Sequence, residues 1–218
     1  SLNIKIIHQR PNAKSKNMSK ILRNDLQIIS NMIKNNEKIL DVGCGNGNLI
    51  EYLSKKKNVD CKGIEIESGN MNECLRKGLS VVQGDANYDL NDFADNSFST
   101  VILSQTIQAT IFPERVIKNL IRIGKRAIIS FPNFGYWKIR KDFFLTGRMP
   151  KNNILPFEWF NTPNIHLCSV DDFKKFCNKF KIKINSMVLL DEKGKRMGST
   201  KFLGNLITYQ VIFCVSKS

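Results

Sequence analysis

Three acidic residues in the first half of the chain, Asp41, Glu65 and Asp85, each stand within or directly after a short apolar stretch. Such stretches are typical of strands in a covered parallel sheet. The carboxyl ends of these strands share one edge of the sheet, where open α/β sheets bind ligands. Glu65, 22 residues beyond Gly43, has the spacing of an acid that binds a ribose hydroxyl. An acid at Asp85 could accept a hydrogen bond from an adenine amino group, so a nucleotide-like ligand is predicted.

A glycine-rich turn follows the first of these strands, with glycines at 43, 45 and 47. Glycine lets a backbone turn sharply and approach a ligand closely, and the helix expected at about 48–57 points its free N–H groups back at the turn. The dinucleotide fingerprint is G-x-G-x-x-G, whereas the third glycine here comes one position early. Asp41 would repel a pyrophosphate and attract an amino group, so the turn favours a ligand with a cationic end.

The hydrophobic periodicity predicts an α/β chain in which strands and helices alternate. Strands are expected at about 39–42, 61–66, 79–83, 99–103, 127–131, 183–190 and 207–215, and helices at about 21–33, 48–57, 71–77, 111–123 and 170–180. Ser169 to Asp172 resembles a capping box with Asp in place of the usual Glu. Because the sequence has no internal repeat and no second domain boundary, we expect one domain over residues 1–218. Its first 20 residues are expected to form a loose N-terminal lead-in.

Two segments break the periodicity. Residues 132–168 contain four prolines and both tryptophans, and an irregular segment of this length inside a compact domain is usually functional. It is expected to cover the ligand edge of the sheet, or to form an aromatic patch for a partner. The basic loop at 191–205 is either a binding flap or a solvated surface loop.

Longer motifs resemble known families. Residues 41–47, 63–66 and 83–86 resemble the nucleotide-binding segments of class I S-adenosylmethionine-dependent methyltransferases, and residues 101–110, 130–137, 147–150 and 156–168 resemble the methionine biosynthesis protein MetW family. The similarity extends from about residue 21 to 190. It implies a Rossmann-like class I methyltransferase fold, with a seven-stranded, mostly parallel sheet and helices on both faces.

The resemblance implies S-adenosylmethionine, or S-adenosylhomocysteine, as the cofactor. The residues it assigns to this cofactor are Asp41, Gly43, Cys44, Gly45, Glu65, Ile66, Asp85, Ala86, Ser104 and Gln105. Asp41 and the glycine backbone would hold the methionine part, Glu65 the ribose hydroxyls, and Asp85 with Ala86 the adenine. Ser104 and Gln105 would face the place where the substrate meets the reactive methyl group.

No catalytic base is obligatory, because methyl transfer from a sulfonium can run on proximity and orientation. His166 is the candidate if there is one, since its ordinary pKa suits acid–base work near pH 7; the alternative is a structural histidine inside the loop. Side chains that could line an acceptor pocket are Tyr136, Trp137, Glu158 and Trp159. The sequence Ser-Gln-Thr at 104–106 lacks the Asn/Asp-Pro-Pro-aromatic motif of N-methyltransferases, which disfavours nucleobases or glutamine as acceptors.

Family resemblance and residue chemistry leave three hypotheses, and whether the chain catalyses a reaction stays open. The MetW family is associated with methionine biosynthesis beside a homoserine O-acyltransferase, which implies a nucleotide-binding partner of that enzyme. The second hypothesis is a methyltransferase of a small molecule. The third, which is disfavoured, is an RNA methyltransferase.

The amino-acid composition limits which partners and which cellular compartment are expected for this protein. A net charge of +15 can indicate nucleic-acid binding, but Lys far exceeds Arg and is scattered, as codon bias would produce. The six cysteines form no C-x-x-C pair and are expected to be reduced, mostly buried thiols of a cytoplasmic protein. Two histidines could not make a zinc site alone, so no metal is expected. No stretch has the length of a membrane span and no signal core is present.

Overall fold

The computed structural model describes residues 22–198 and 203–218. The predicted lead-in at 1–20 lies outside these ranges, as does Ile21 at the start of the first predicted helix. The strands are β1 (Lys38–Val42), β2 (Asp60–Glu65), β3 (Val81–Gln83), β4 (Phe98–Ser104), β5 (Gly124–Pro132), β6 (Ile182–Leu190) and β7 (Gln210–Lys217). The α-helices are α1 (Asn24–Met32), α2 (Asn48–Lys56), α3 (Ser68–Arg76), α4 (Pro113–Ile123), α5 (Trp137–Thr146), α6 (Val170–Lys179) and α7 (Gly204–Ile207).

The seven strands form one sheet in the order β3-β2-β1-β4-β5-β7-β6. Neighbours from β3 to β5 are parallel, and β7 is antiparallel to both β5 and β6. This confirms the predicted seven-stranded, mostly parallel sheet. The strand order reverses between β1 and β4, and in such sheets the crevice at the reversal is where ligands bind.

Alternating residues of the central strands supply two separate apolar layers. In β1, Leu40 and Val42 pack in the layer that contains α4 and α6, whereas Ile39 packs in the layer that contains α1, α2 and α3. The same alternation separates Val101 from Ile102 in β4. Because successive side chains of a strand point to opposite faces, the sheet is covered on both sides, as the resemblance implied.

Most helices begin and end where the sequence predicts. Pro113 occupies the first turn of α4, where its missing N–H costs nothing. The predicted capping box of α6 is present, because the Ser169 hydroxyl accepts from the Asp172 amide and the Asp172 carboxylate accepts from the Ser169 amide. Two helices were not predicted: α5 lies inside the segment expected to be irregular, and α7 lies where the loop at 191–205 was expected to lead into the last strand.

Asn133 joins the carboxyl end of β5 to the surrounding loops. Its side chain is fully buried, and its amide nitrogen donates to the carbonyl oxygens of Asn205 and Thr208 at 2.8 Å each. Its amide oxygen accepts from the backbone N–H groups of Gly135 and Val170. A buried amide satisfied on both sides rigidifies its surroundings, so the start of α6 and the end of α7 are fixed against β5.

Within residues 22–198 and 203–218, no helix combines the length and hydropathy required to cross a membrane. The six cysteines are free thiols, and all except the partly exposed Cys168 are buried. In the same ranges, no group of three His, Cys, Asp or Glu side chains is arranged to hold a metal ion.

Candidate functional site

The glycine turn between β1 and α2 is folded onto β2. The backbone N–H groups of Gly43 and Cys44 both donate to the Ile64 carbonyl oxygen, at 2.8 and 3.2 Å. Gly43, Gly45 and Gly47 have φ values of 67°, 58° and 75°, a conformation that residues with a Cβ adopt only at a cost. The turn therefore requires its glycines for their backbone conformation.

Glu65 closes the same turn from β2. It is 3% exposed, and its Oε2 accepts a hydrogen bond of 2.6 Å from the Gly45 amide while Oε1 accepts from the Glu67 amide at 3.0 Å. A carboxylate oxygen can accept more than one hydrogen bond, so Glu65 can hold the turn and still accept from a ligand hydroxyl. Asp41, in β1, is 4% exposed. The turn thus has two buried carboxylates beside it, while Ile66 follows directly after β2.

The amides of the turn are directed inward. Those of Gly43 and Cys44 bind Ile64, that of Gly45 binds Glu65, and that of Gly47 binds the Cys44 carbonyl oxygen. A phosphate bound at a glycine loop needs such amides as donors. Four backbone donors of this turn are therefore already paired with β2 or with the turn, and the buried acid beside it further disfavours a phosphate.

Asp85 organises the loop after β3. Its Oδ1 accepts from both the backbone and side-chain amides of Asn87, at 2.8 and 2.7 Å. The Asn87 side-chain oxygen in turn accepts from the backbone N–H groups of Ile111 and Phe112, before α4. Ala86 packs partly buried against the core. The loops after β3 and β4 are thereby joined, and Asp85 retains its second oxygen for a ligand.

The end of β4 is polar and strained. The Ser104 hydroxyl lies 3.1 Å from the Ser130 hydroxyl on β5, and both are buried. Gln105 follows with a φ of 56°, and its amide donates to the Ser130 carbonyl oxygen at 2.8 Å. A left-handed non-glycine residue is uncommon and is often held in place at a functional site. This conformation directs the chain abruptly away from the sheet at the strand reversal.

Beyond Gln105 lies a cleft of about 580 Å³, a volume in the range of small-molecule sites. Its walls come from regions that are distant in the sequence: residues 22–25, the turn after β4, Pro132, residues 153–164, residues 191–194 and residues 209–210. Gln105, Gln108 and Ala109 form the part nearest β4. The loop-rich segment at 132–168 and the loop after β6 therefore both reach the carboxyl edge of the sheet.

Gln108 is the cleft residue that sequence reasoning missed. It is 8% exposed, and its side-chain nitrogen donates to the Gln105 carbonyl oxygen at 3.0 Å. Its backbone carbonyl oxygen accepts from the amides of Ile165 and His166. Its side-chain oxygen accepts no hydrogen bond from any described residue, and an unsatisfied buried acceptor costs about 1–3 kcal/mol. A single Gln in a polar run carries no sequence signal for such a role.

His166 does not line this cleft. Its ring is exposed, and Nε2 lies 3.4 Å from the Ile111 carbonyl oxygen. The candidate pocket aromatics are elsewhere too: Tyr136 is buried against Glu192, while Trp137 and Trp159 are 39% and 74% exposed. The role of His166 as a base remains a prediction, without a contact to the cleft that supports it.

An ion pair between the exposed Arg23 and the buried Asp25 lies in the cleft wall. Arg23 donates to both carboxylate oxygens of Asp25, at 2.6 and 2.8 Å, and Gln210 donates to Asp25 at 3.0 Å. Burial of Asp25 would raise its pKa, but the hydrogen bonds and charge of Arg23, the Gln210 amide and the Leu26 amide outweigh it. The pKa of Asp25 therefore lies below its ordinary value of 3.8.

With this geometry the chain can be compared with known proteins. Residues 23–215 match the profile of a family described as methionine biosynthesis protein MetW. A bifunctional methionine biosynthesis protein MetXA/MetW from Rhodopirellula baltica is 31% identical over an alignment of 183 residues, which covers 79% of this chain. The matched part is 29% of that relative, so the chain spans less than a third of its length.

Two solved structures show the same architecture. A SAM-dependent methyltransferase from Archaeoglobus fulgidus superposes with a TM-score of 0.63 at 16% identity, covering 89% of this chain and 92% of its own. The [4+2]-cyclase SpnF superposes with a TM-score of 0.62 at 12% identity, covering 89% of this chain and 81% of its own. The predicted Rossmann-like class I methyltransferase fold is confirmed. Because one of these proteins is a cyclase, the fold does not fix the reaction.

We expect Gly43→Ala to destabilise the protein more than Gly78→Ala. Both glycines have positive φ, 67° and 69°, so both substitutions carry the left-handed penalty of about 1–2 kcal/mol. At Gly43 the new Cβ would also lie 2.9 Å from the Thr106 hydroxyl oxygen, whereas at Gly78 it would meet nothing within 4 Å. Urea unfolding of the two variants measures the difference. Equal losses would mean that the turn yields freely toward Thr106.

We expect Asp25→Asn to remove a pH-dependent part of the stability. Because the folded pKa of Asp25 is depressed, its contribution is present above about pH 4 and is lost as the pH falls through the folded pKa. The free energies of unfolding of wild type and variant should therefore differ by about 2 kcal/mol near pH 7 and converge below pH 4. Urea unfolding across pH 3–7 tests this, with the exposed Asp95→Asn as control. A pH-independent difference would contradict it.

Proposed function

Because this chain belongs to the methionine biosynthesis protein MetW family, we propose that it binds S-adenosylmethionine, or its demethylated product S-adenosylhomocysteine, and thereby supports a homoserine O-acyltransferase. The family ties the chain to methionine biosynthesis. The ligand and the partner are inferred from the chemistry of the strand ends and from the composition of the fused relative.

The inward direction of the glycine-turn amides carries the ligand assignment. The Gly43, Cys44 and Gly45 amides already donate to Ile64 and to the buried Glu65 carboxylate, so the turn offers a ligand fewer donors and stands beside acidic acceptors. S-adenosylmethionine suits such a site, because it presents an ammonium, a sulfonium and ribose hydroxyls, and it has no phosphate. The same features disfavour NAD and nucleoside phosphates.

The three acidic residues at the strand ends would each contact a different part of this ligand. Asp41, buried in β1 before the turn, would face the ammonium of the methionine part. Glu65 would accept from the ribose hydroxyls with the lone pairs that the Gly45 and Glu67 amides leave. Asp85 would accept from the adenine amino group with its second oxygen, beside Ala86.

The partner assignment rests on the fused relative. Its name joins MetXA and MetW in one bifunctional chain, and tethering two units raises their effective concentration for each other. The present chain would form the same association between separate molecules. Binding of a pathway end product such as S-adenosylmethionine can bias such a complex only if the ligand has different affinities for the free and associated states.

A small-molecule methyltransferase is the second candidate, favoured by the cleft beside Gln105. A cleft of about 580 Å³ next to a predicted methyl-donor site could hold an acceptor, and Gln108 lines this cleft while its side-chain nitrogen holds the Gln105 carbonyl oxygen. Methyl transfer would then depend on orientation in the cleft. RNA methylation has no such support, because basic residues are spread over the chain.

The first test measures ligand binding by calorimetry. We expect Glu65→Gln to weaken S-adenosylmethionine binding about tenfold or more, since it removes a charge-assisted acceptor for the ribose while its amide oxygen still accepts from Gly45. Glu73→Gln, at an exposed position of α3, is the control and should bind as wild type does. Equal affinities for Glu65→Gln and wild type would remove Glu65 from the site.

The second test measures homoserine O-acyltransferase activity with the acyltransferase of the same cell, with and without this protein. We expect a clear gain in activity that depends on S-adenosylmethionine and is diminished by Glu65→Gln. A gain that survives the substitution would keep the partner role and separate it from the ligand. No gain and no co-purification would refute the partner role. Turnover of methyl-labelled S-adenosylmethionine with cell metabolites, reduced in Gln108→Leu, would then support the methyltransferase alternative.

A further inference from the structure

Helix α5 leaves most of its apolar residues in solvent. Of its ten residues only Ile139 is buried, while Phe143, Phe144 and Leu145 are 52%, 86% and 66% exposed. A helix whose apolar residues are this exposed has gained little from packing against its own domain. Large exposed apolar areas on a folded protein mark contact sites.

A groove runs beside this helix. We call it the α5 groove; it has a volume of about 400 Å³, and its apolar lining includes Phe134, Ile139, Phe143, Met149, Leu155 and Leu167. Phe134, Ile139 and Leu155 are buried and belong to a small separate apolar cluster, so they form a fixed floor. Phe143, Met149 and Leu167 are 47–52% exposed and form accessible walls. An apolar floor with accessible walls suits an inserted apolar side chain.

The surroundings of the groove carry an excess of positive charge, since three cations stand near the two acids Asp142 and Asp172. Arg140, Lys141 and Arg148 are exposed, and none of them makes an ion pair with a described carboxylate. By contrast, Lys138 pairs with Glu192 and Lys151 with Glu158. A partner surface here would gain from acidic residues around its apolar contact, through electrostatic complementarity.

The groove also lies in the segment that carries the family resemblance. The runs at 130–137, 147–150 and 156–168 supply Phe134, Met149 and Leu167 to its lining. The two methyltransferase-fold structures share only 12–16% identity with this chain, so the shared fold by itself does not require these side chains.

We infer that the α5 groove is the docking surface for the homoserine O-acyltransferase, which would insert an apolar element flanked by acidic side chains. This inference rests on the proposed function for the identity of the partner. The groove is also joined to the cleft. Glu192, which lines the cleft, accepts hydrogen bonds from the Tyr136 hydroxyl and Lys138 at the start of α5. A partner in the groove would therefore contact α5, the helix whose start is bound by the cleft residue Glu192.

The test measures the affinity of the purified acyltransferase from the same cell for variants of the full chain by biolayer interferometry. We expect Met149→Glu to weaken binding about tenfold or more, because a charge would enter the apolar contact. Leu75→Glu on α3 is the matched control, with equal charge change and a similar exposure of 52% against 49%; it should bind as wild type does. Phe143→Glu serves as a second groove variant, and circular dichroism checks that each variant is folded.

The outcomes separate this inference from the proposed function. If wild type binds and activates the acyltransferase but Met149→Glu and Phe143→Glu match Leu75→Glu, the groove is not the docking surface and the proposed function stands. If wild type neither binds nor activates, both fail. Phosphatidylserine-containing vesicles and sedimentation of the protein alone test other occupants. Vesicle binding or self-association lost in Met149→Glu, with unchanged acyltransferase affinity, would overturn the inference in favour of a membrane or a second copy.

Discussion

The hydrogen bond from the Gly45 amide to the buried Glu65 carboxylate determines the character of the ligand edge. Glu65 is 3% exposed, and a buried carboxylate is tolerated only where donors satisfy it. The glycine turn supplies one such donor at 2.6 Å. If the turn moved away, the Glu67 amide would be left as the donor to a buried charge. The shape of the turn is therefore preset, and a ligand that binds there loses little free energy in ordering it.

The strand order places the glycine turn beside a crevice at the edge of the sheet. Because the chain order reverses between β1 and β4, the loops after these two strands diverge and leave a crevice. The left-handed Gln105 ends β4 at the crevice, and the Asp85–Asn87 contacts tie the loop after β3 to the start of α4. The acids of three successive strands thus face the same edge, although each was recognisable only as a separate short motif.

The features that could be predicted from the sequence are those encoded by residues close together in the chain. Apolar runs predicted the strands, and Gly and Pro predicted helix ends. The spacing of Asp41, Gly43 and Glu65 predicted one part of the candidate site. All of these signals act over a few residues of sequence. The cleft could not be predicted from the sequence, since its walls come from distant segments, namely residues 22–25, 105–109, 132, 153–164, 191–194 and 209–210. The helix α5 was missed because periodicity detects helices that bury a stripe, and α5 buries only Ile139.

The sequence pattern of α5 has a physical meaning, because a helix that buries little apolar surface is stabilised by other contacts. Here the gain comes from polar ties at its start, where Tyr136 and Lys138 both donate to Glu192 and the Arg140 guanidinium donates to the Gly135 carbonyl oxygen. Such exposed polar ties contribute little each. A helix held this way can adjust to a partner at small cost, while the same Glu192 side chain lines the cleft. A ligand in the cleft would contact Glu192, and a partner in the groove would contact the helix that Glu192 holds. Such a ligand would bias the association only if it bound the free and the associated states with different affinities.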